Sequence, residues 1–327
     1  IGVSFQGQRE LFWGLEIMDM ERDLKPYPVL HFIMSGLKNC TIPEARSSLE
    51  LYISDYERIY GRNMAEETPG KRFRGLIHRA YEKTGEKVVV ILDEYDAAIM
   101  RLMYEDKELE QMRTMLREFY QVLKDEGAYL RFVFITGMTK FSQLSIFSEL
   151  NNLKNISMDP QFAALCGISV DEVQEQMADY LADFAAAHNK SVDEALESLK
   201  VQYDGYHFAW PSPDVFNPFS LLNAFLDKRL KSYWFESGTP TFLIEMLRKF
   251  NVVPSMLKRT RAMASAFDAP TENMSSIIPL LYQSGYFTIK DYNEITDLYI
   301  LDIPNNEIRI GLMESLLPNY VQIDAYK

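Results

Sequence analysis

The stretch 87–96, Lys-Val-Val-Val-Ile-Leu-Asp-Glu-Tyr-Asp, sets the terms on which this chain can fold. An apolar run without alternation is what a central parallel strand buried on both faces requires. The run ends in two carboxylates, Asp93 and Glu94. At the carboxyl end of a parallel strand they would lie on the rim where α/β sheets bind ligands. Two readings follow. In one, the pair is a Walker B element: Asp93 holds the water shell of a Mg²⁺ on nucleotide phosphates, and Glu94 polarises the attacking water. In the other, a buried strand simply runs into a solvated acidic turn.

A second apolar run, 131–135, stops at Thr136-Gly137 and continues Met-Thr139-Lys140-Phe-Ser142. A small polar side chain that closes the strand beside a Walker B strand is placed to meet the γ-phosphate or the attacking water, the role called sensor 1. Thr136 occupies that position. Further on stand Asn151-Asn152-Leu153, Tyr203-Asp204-Gly205-Tyr206 and Phe216-Asn217-Pro218.

Together these blocks resemble the bacterial AAA-ATPase-like family, over residues 10–309. The resemblance implies an α/β fold with a parallel-sheet, P-loop-NTPase-like core at 1–158. An all-helical lid at 159–253 and a small winged helix at 254–310 would follow. Residues 311–327 would begin a linker to a PD-(D/E)XK nuclease-like domain that lies outside this sequence. It also implies ATP and Mg²⁺ as cofactors, with Glu94 and Thr136 catalytic, Asp93 on the metal through water, and Lys140 contacting phosphate.

One part of that pattern is missing. No Gly-x-x-x-x-Gly-Lys-Ser/Thr occurs in the sequence. Gly70-Lys71 follows Thr68-Pro69 and leads into a helical pattern with no strand before it, so it is not a P-loop. Ile1-Gly2-Val3 looks like the family's opening and Glu10-Leu11-Phe12-Trp13-Gly14-Leu15 like the element after the P-loop helix, with only four residues between them. Since Ile1 is not a start methionine, the sequence reads as a fragment or processed product. Without backbone N–H groups and a lysine to cradle phosphates, Asp93 and Glu94 have little to act on. The resemblance therefore implies an ATP-hydrolysing switch in the full-length family and an inactive chain here. The alternative is a non-catalytic regulatory or protein-interaction module.

Composition narrows the partners. A formal net charge of −13 disfavours a broad nucleic-acid face, which needs clustered Lys and Arg. The dense basic patches, 71–74 and 258–261, read as solvated helix faces. No apolar run reaches the roughly 20 residues that span a bilayer, so the expected setting is the cytoplasm, with a protein partner and no membrane. Cys40 and Cys166 read as reduced, buried thiols, and the four histidines show no metal-ligand spacing.

The remaining pattern alternates strand and helix, as a parallel sheet with right-handed crossovers requires. A strand is expected over 28–35 and helices over the 49–60 stripe, 72–83 and 109–124. The last of these buries Met112, Met115, Leu116, Phe119 and Leu123. From residue 159 only helices are expected, at 171–188 and 192–203 behind two capping boxes, Ser169…Glu172 and Ser191…Glu194. Asn217-Pro218 opens another helix. Asp204 and His207 read as a structural turn. A helix near 277–282 and a hairpin of 286–290 with 298–302 give the winged-helix outline. Its acidic wing, with Asp291, Glu294, Asp297 and Asp302, favours protein contact over DNA.

Overall fold

A computed structural model describes residues 1–21, 24–38, 40–100, 102, 106–137, 152–236, 241–252, 257, 259–269 and 276–320. The chain divides into two compact units, residues 1–154 and 155–327.

In the first unit β1 (Val29–Ile33), β2 (Val88–Asp93) and β3 (Leu130–Ile135) form a parallel sheet in the order β1-β2-β3. Helices Ile42–Tyr60 and Pro69–Thr84 connect β1 to β2, and helix Asp106–Asp125 connects β2 to β3. Both crossovers step the same way, so right-handed connections put the three helices on one face. There the ring of Phe32 meets Phe73 at 5.2 Å and Phe119 at 5.6 Å, and those two stack at 4.7 Å. Val88, Val90 and Leu92 point to this face and are fully buried. The other face carries a smaller cluster of Val29, Val89 and Ile91, against which Phe5, Tyr27 and Phe134 pack.

Local chemistry sets the helix ends. The Glu44 carboxylate accepts from the Thr41 N–H at 2.8 Å, closing a capping box. Thr68 caps the next helix with Pro69 in its first turn, so Gly70 and Lys71 are helical, not a phosphate loop. Gly85 ends that helix at φ +70°, where a side chain would be strained.

Two expectations change here. The 71–74 patch is not wholly solvated: Arg72 is buried and grips buried Glu57 through Nε–Oε1 at 3.1 Å and Nη2–Oε2 at 2.6 Å. The stripe of helix Ile42–Tyr60 accordingly buries Glu57 and leaves Ile59 exposed.

In the second unit both capping boxes form, at Ser169 and Ser191. The expected 171–188 helix is two, Val170–Gln176 and Ala178–Ala187, broken at Met177. The region is not purely helical either, because β4 (Ile168–Ser169) pairs antiparallel with β5 (Val215–Phe216). Helix Val192–Tyr203 and helix Pro218–Asp227, capped by Asn217, complete that layer. Beyond them, β6 (Thr260–Ala262), β7 (Thr288–Asn293) and β8 (Leu298–Asp302) form an antiparallel sheet in the order β6-β8-β7, after helix Ile278–Gln283. The hairpin lies where the sequence places it, its first strand two to three residues later, and β6 was not expected.

Helix Asn306–Tyr320 follows the hairpin. Glu307 and Ile308 there are fully buried, and Glu307 accepts from Ser220 Oγ at 2.7 Å and from the Trp234 N–H at 2.9 Å. Trp234 also packs its ring against Tyr286 of the same unit, at 5.1 Å. Both cysteines are free thiols, but Cys40 is half-buried and Cys166 exposed, not buried.

Candidate functional site

The register of the sheet brings the sequence-derived residues together. Ile91 pairs with Phe134 and Leu92 with Ile135, so one step further Asp93 lies beside Thr136. Period-two alternation puts both side chains on the lightly covered face, in line with Val89, Ile91 and Phe134. The Thr136 hydroxyl donates a short hydrogen bond to Asp93 Oδ1. Thr136 also donates its N–H to the Leu92 carbonyl at 2.8 Å, carrying the β2–β3 ladder past the strand end.

Glu94 follows at φ +52°, in the left-handed region that non-glycine residues seldom enter. The next residue is held at both of its backbone groups: Tyr95 N–H donates to the Thr136 carbonyl at 3.0 Å, and Tyr120 O–H donates to the Tyr95 carbonyl at 2.8 Å. Burial pushes the Glu94 carboxyl above the ordinary range, with Asp93 and Asp96 adding to the shift and Lys38 opposing it. Asp96 itself is fully buried. Gly137 sits so close to this turn that a Cβ would meet the Tyr95 ring, and Asp96 Oδ1 at 2.8 Å.

Lys140, the expected phosphate contact, lies outside the described residues. Three contributors were not assigned roles from sequence. Asp96 belongs to the acidic motif, yet nothing in the motif says that it is buried. Tyr120 neighbours Phe119 in the apolar stripe and reads as core until its hydroxyl is seen. Lys38 follows the 3₁₀ turn Met34–Leu37 after β1, and only strand order brings it to the rim where Glu94 stands.

Among the described residues no group of three or more His, Cys, Asp and Glu could hold a metal ion. That donor set does not suit zinc, which needs at least three protein ligands. Mg²⁺ keeps several waters and takes only one or two carboxylates besides phosphate oxygens, and the half-buried Asp93 carboxylate fits that demand.

A parallel sheet whose central strand ends in carboxylates, with a hydroxyl from the next strand beside them, defines an α/β protein with a polar rim at its strand ends. Residues 2–147 match the AAA-ATPase-like family, described as "Predicted AAA-ATPase". The chain is also 33% identical over 322 residues to an "Uncharacterized protein in vnfD 5'region" of Azotobacter chroococcum mcd 1. That alignment covers 97% of this chain and 60% of the relative, so the chain spans less than two thirds of the relative's length. No solved structure matches. Among the described residues no helix is long and apolar enough to cross a membrane.

Proposed function

We propose that the first unit carries the metal-holding and water-activating half of a Mg²⁺-dependent ATP-hydrolysing site. The observation that carries the reading is the Thr136–Asp93 hydrogen bond at the end of the β2–β3 pair, with Glu94 beside it. Asp93 would hold Mg²⁺ through water, and that ion, when bound, would neutralise charge on the phosphates. Glu94 would accept a proton from the attacking water, helped by burial that raises its basicity. Thr136 would orient Asp93 through the bond it donates, and its oxygen would accept from the attacking water. Lys140 would add a cation to the phosphates.

The phosphate cradle is the other half. No Gly-x-x-x-x-Gly-Lys-Ser/Thr is encoded in the sequence. The sheet nevertheless has room for it. The outer edge of β1 is closed by Tyr56, whose hydroxyl accepts from the His31 N–H at 2.8 Å and donates to the His31 carbonyl at 3.0 Å. The outer edge of β3, next to Thr136, pairs with no strand among the described residues. A strand bearing a phosphate loop can add there.

In the second unit we assign the 170–227 helices to a lid. The 278–302 helix and hairpin are a winged helix that contacts protein, since its wing carries Asp291, Glu294 and Asp297. A cytoplasmic setting and a protein partner complete the proposal.

Glu94→Gln in the intact protein tests the reading: ATP turnover falls at least about a hundredfold while ATP binding persists. The missing phosphate-loop motif favours a second reading, a non-catalytic regulatory module. It gains if the intact protein shows no turnover, or turnover that Glu94→Gln leaves unchanged.

A further inference from the structure

We infer that Tyr120 is a positioning residue that holds Glu94 in place for the attacking water, through the Tyr95 peptide. The inference rests on the reading of Asp93, Glu94 and Thr136 given above. Tyr120 lies in helix Asp106–Asp125 and is fully buried beside Phe119, their rings 5.7 Å apart. Its hydroxyl ends against the carbonyl of Tyr95, the residue after Glu94.

A glutamate at φ +52° is strained, and such a conformation persists only where its surroundings over-determine it. Three bonds do so here. The Tyr95 N–H is taken by the Thr136 carbonyl at 3.0 Å, the Tyr95 carbonyl by Tyr120 at 2.8 Å, and the Glu94 carbonyl by the Ala97 N–H at 2.9 Å. The first and third are backbone bonds that any sequence could make. The second depends on a single side-chain atom, and burial keeps that phenol protonated, so it remains a donor at every physiological pH.

Packing alone does not require the hydroxyl. A phenylalanine would fill the same core volume and remove the phenol's hydrogen bond to the Tyr95 carbonyl. The Glu94–Tyr95 peptide keeps its two backbone bonds, but the Tyr95–Asp96 peptide loses this side-chain anchor, and the turn that holds Glu94 at positive φ is loosened from its far side, with the carboxylate it carries. Misplacement of a catalytic group by a fraction of an ångström lowers the rate of the chemical step more than it lowers substrate binding.

The experiment is steady-state ATP turnover by the intact protein as wild type, Tyr120→Phe, Phe119→Leu and Glu94→Gln, with an unfolding midpoint for each. Phe119→Leu weakens the same helix and core without touching the Tyr95 carbonyl. The expected result is a kcat reduced about tenfold or more in Tyr120→Phe with KM for ATP within about twofold, and a kcat unchanged in Phe119→Leu. An unchanged kcat in Tyr120→Phe, or equal losses in both variants, would overturn the inference while leaving the Glu94 reading intact. Turnover that does not depend on Glu94 would remove the reading itself, and the inference with it.

Discussion

The Thr136 hydroxyl donates to Asp93 Oδ1 across the β2–β3 pair, tying the two strand ends that form the polar rim. Thr136→Val keeps the branched shape and removes only the donor. We predict that folding survives, with a stability change within about 1–2 kcal/mol, because the bond is half-exposed. ATP turnover of the intact protein falls at least tenfold. Unchanged turnover would show that the hydroxyl serves only the sheet.

Gly137 is predicted to tolerate no side chain. A Cβ there would meet the Tyr95 ring and Asp96 within 3 Å. Gly137→Ala should lower the stability of the first unit by about 1–3 kcal/mol, read as a shift in the denaturant midpoint. An unshifted midpoint would mean that Tyr95 can move aside at no cost.

Glu57 and Arg72 form a buried, bidentate ion pair, to which Ser54 Oγ adds a 2.7 Å contact on Arg72. Removing one partner strands a buried charge, so Glu57→Ala should cost about 3–5 kcal/mol. The double variant Glu57→Leu/Arg72→Met should recover most of that loss in chemical denaturation. Additive losses would contradict the buried-pair account.

What the sequence disclosed, and what it hid, follows from the range of the interactions. The β2 run, the strand ending at Thr136 and the Ser191 capping box are local patterns, and each appears where its residues predict. Burial of Glu57 was hidden because its partner lies fifteen positions away in another helix. Strand β6 is three residues long and exists through pairing with β8, whose residues lie about forty positions further on. The Asp93–Thr136 bond spans forty-three positions; the sequence placed the two residues at neighbouring strand ends, because both close apolar runs, but did not disclose the bond itself. Tyr120 carried no such marker, since its hydroxyl acts on a backbone carbonyl.

Asp204 gives the second unit a pH dependence. It is buried where helix Val192–Tyr203 ends, and its Oδ1 has no hydrogen-bond partner among the described residues. Burial raises its carboxyl to about 6, helped by Asp214 and opposed by the Gly205 N–H, Lys200 and Lys290. A carboxyl raised on folding binds its proton more tightly in the folded chain. Its stabilising contribution is therefore full below about pH 4 and is lost as pH rises through about 6. Nearby His207, 3.1 Å from Asp214, is shifted down by burial and works in the opposite sense, losing stability as pH falls. Asp204→Asn should thus raise the unfolding midpoint at pH 7 relative to wild type and leave little difference at pH 4. A variant less stable than wild type at pH 7 would contradict this.

The central claim is that Asp93 holds the metal of a nucleotide site, and calorimetric titration of the intact protein with ATP tests it most directly. The titration is made with and without Mg²⁺, as wild type and as Asp93→Ala. The account predicts saturable binding that Mg²⁺ strengthens, and that Asp93→Ala weakens about tenfold or more in the presence of Mg²⁺ only. Absence of binding, or Mg²⁺-dependent binding indifferent to Asp93, would contradict it.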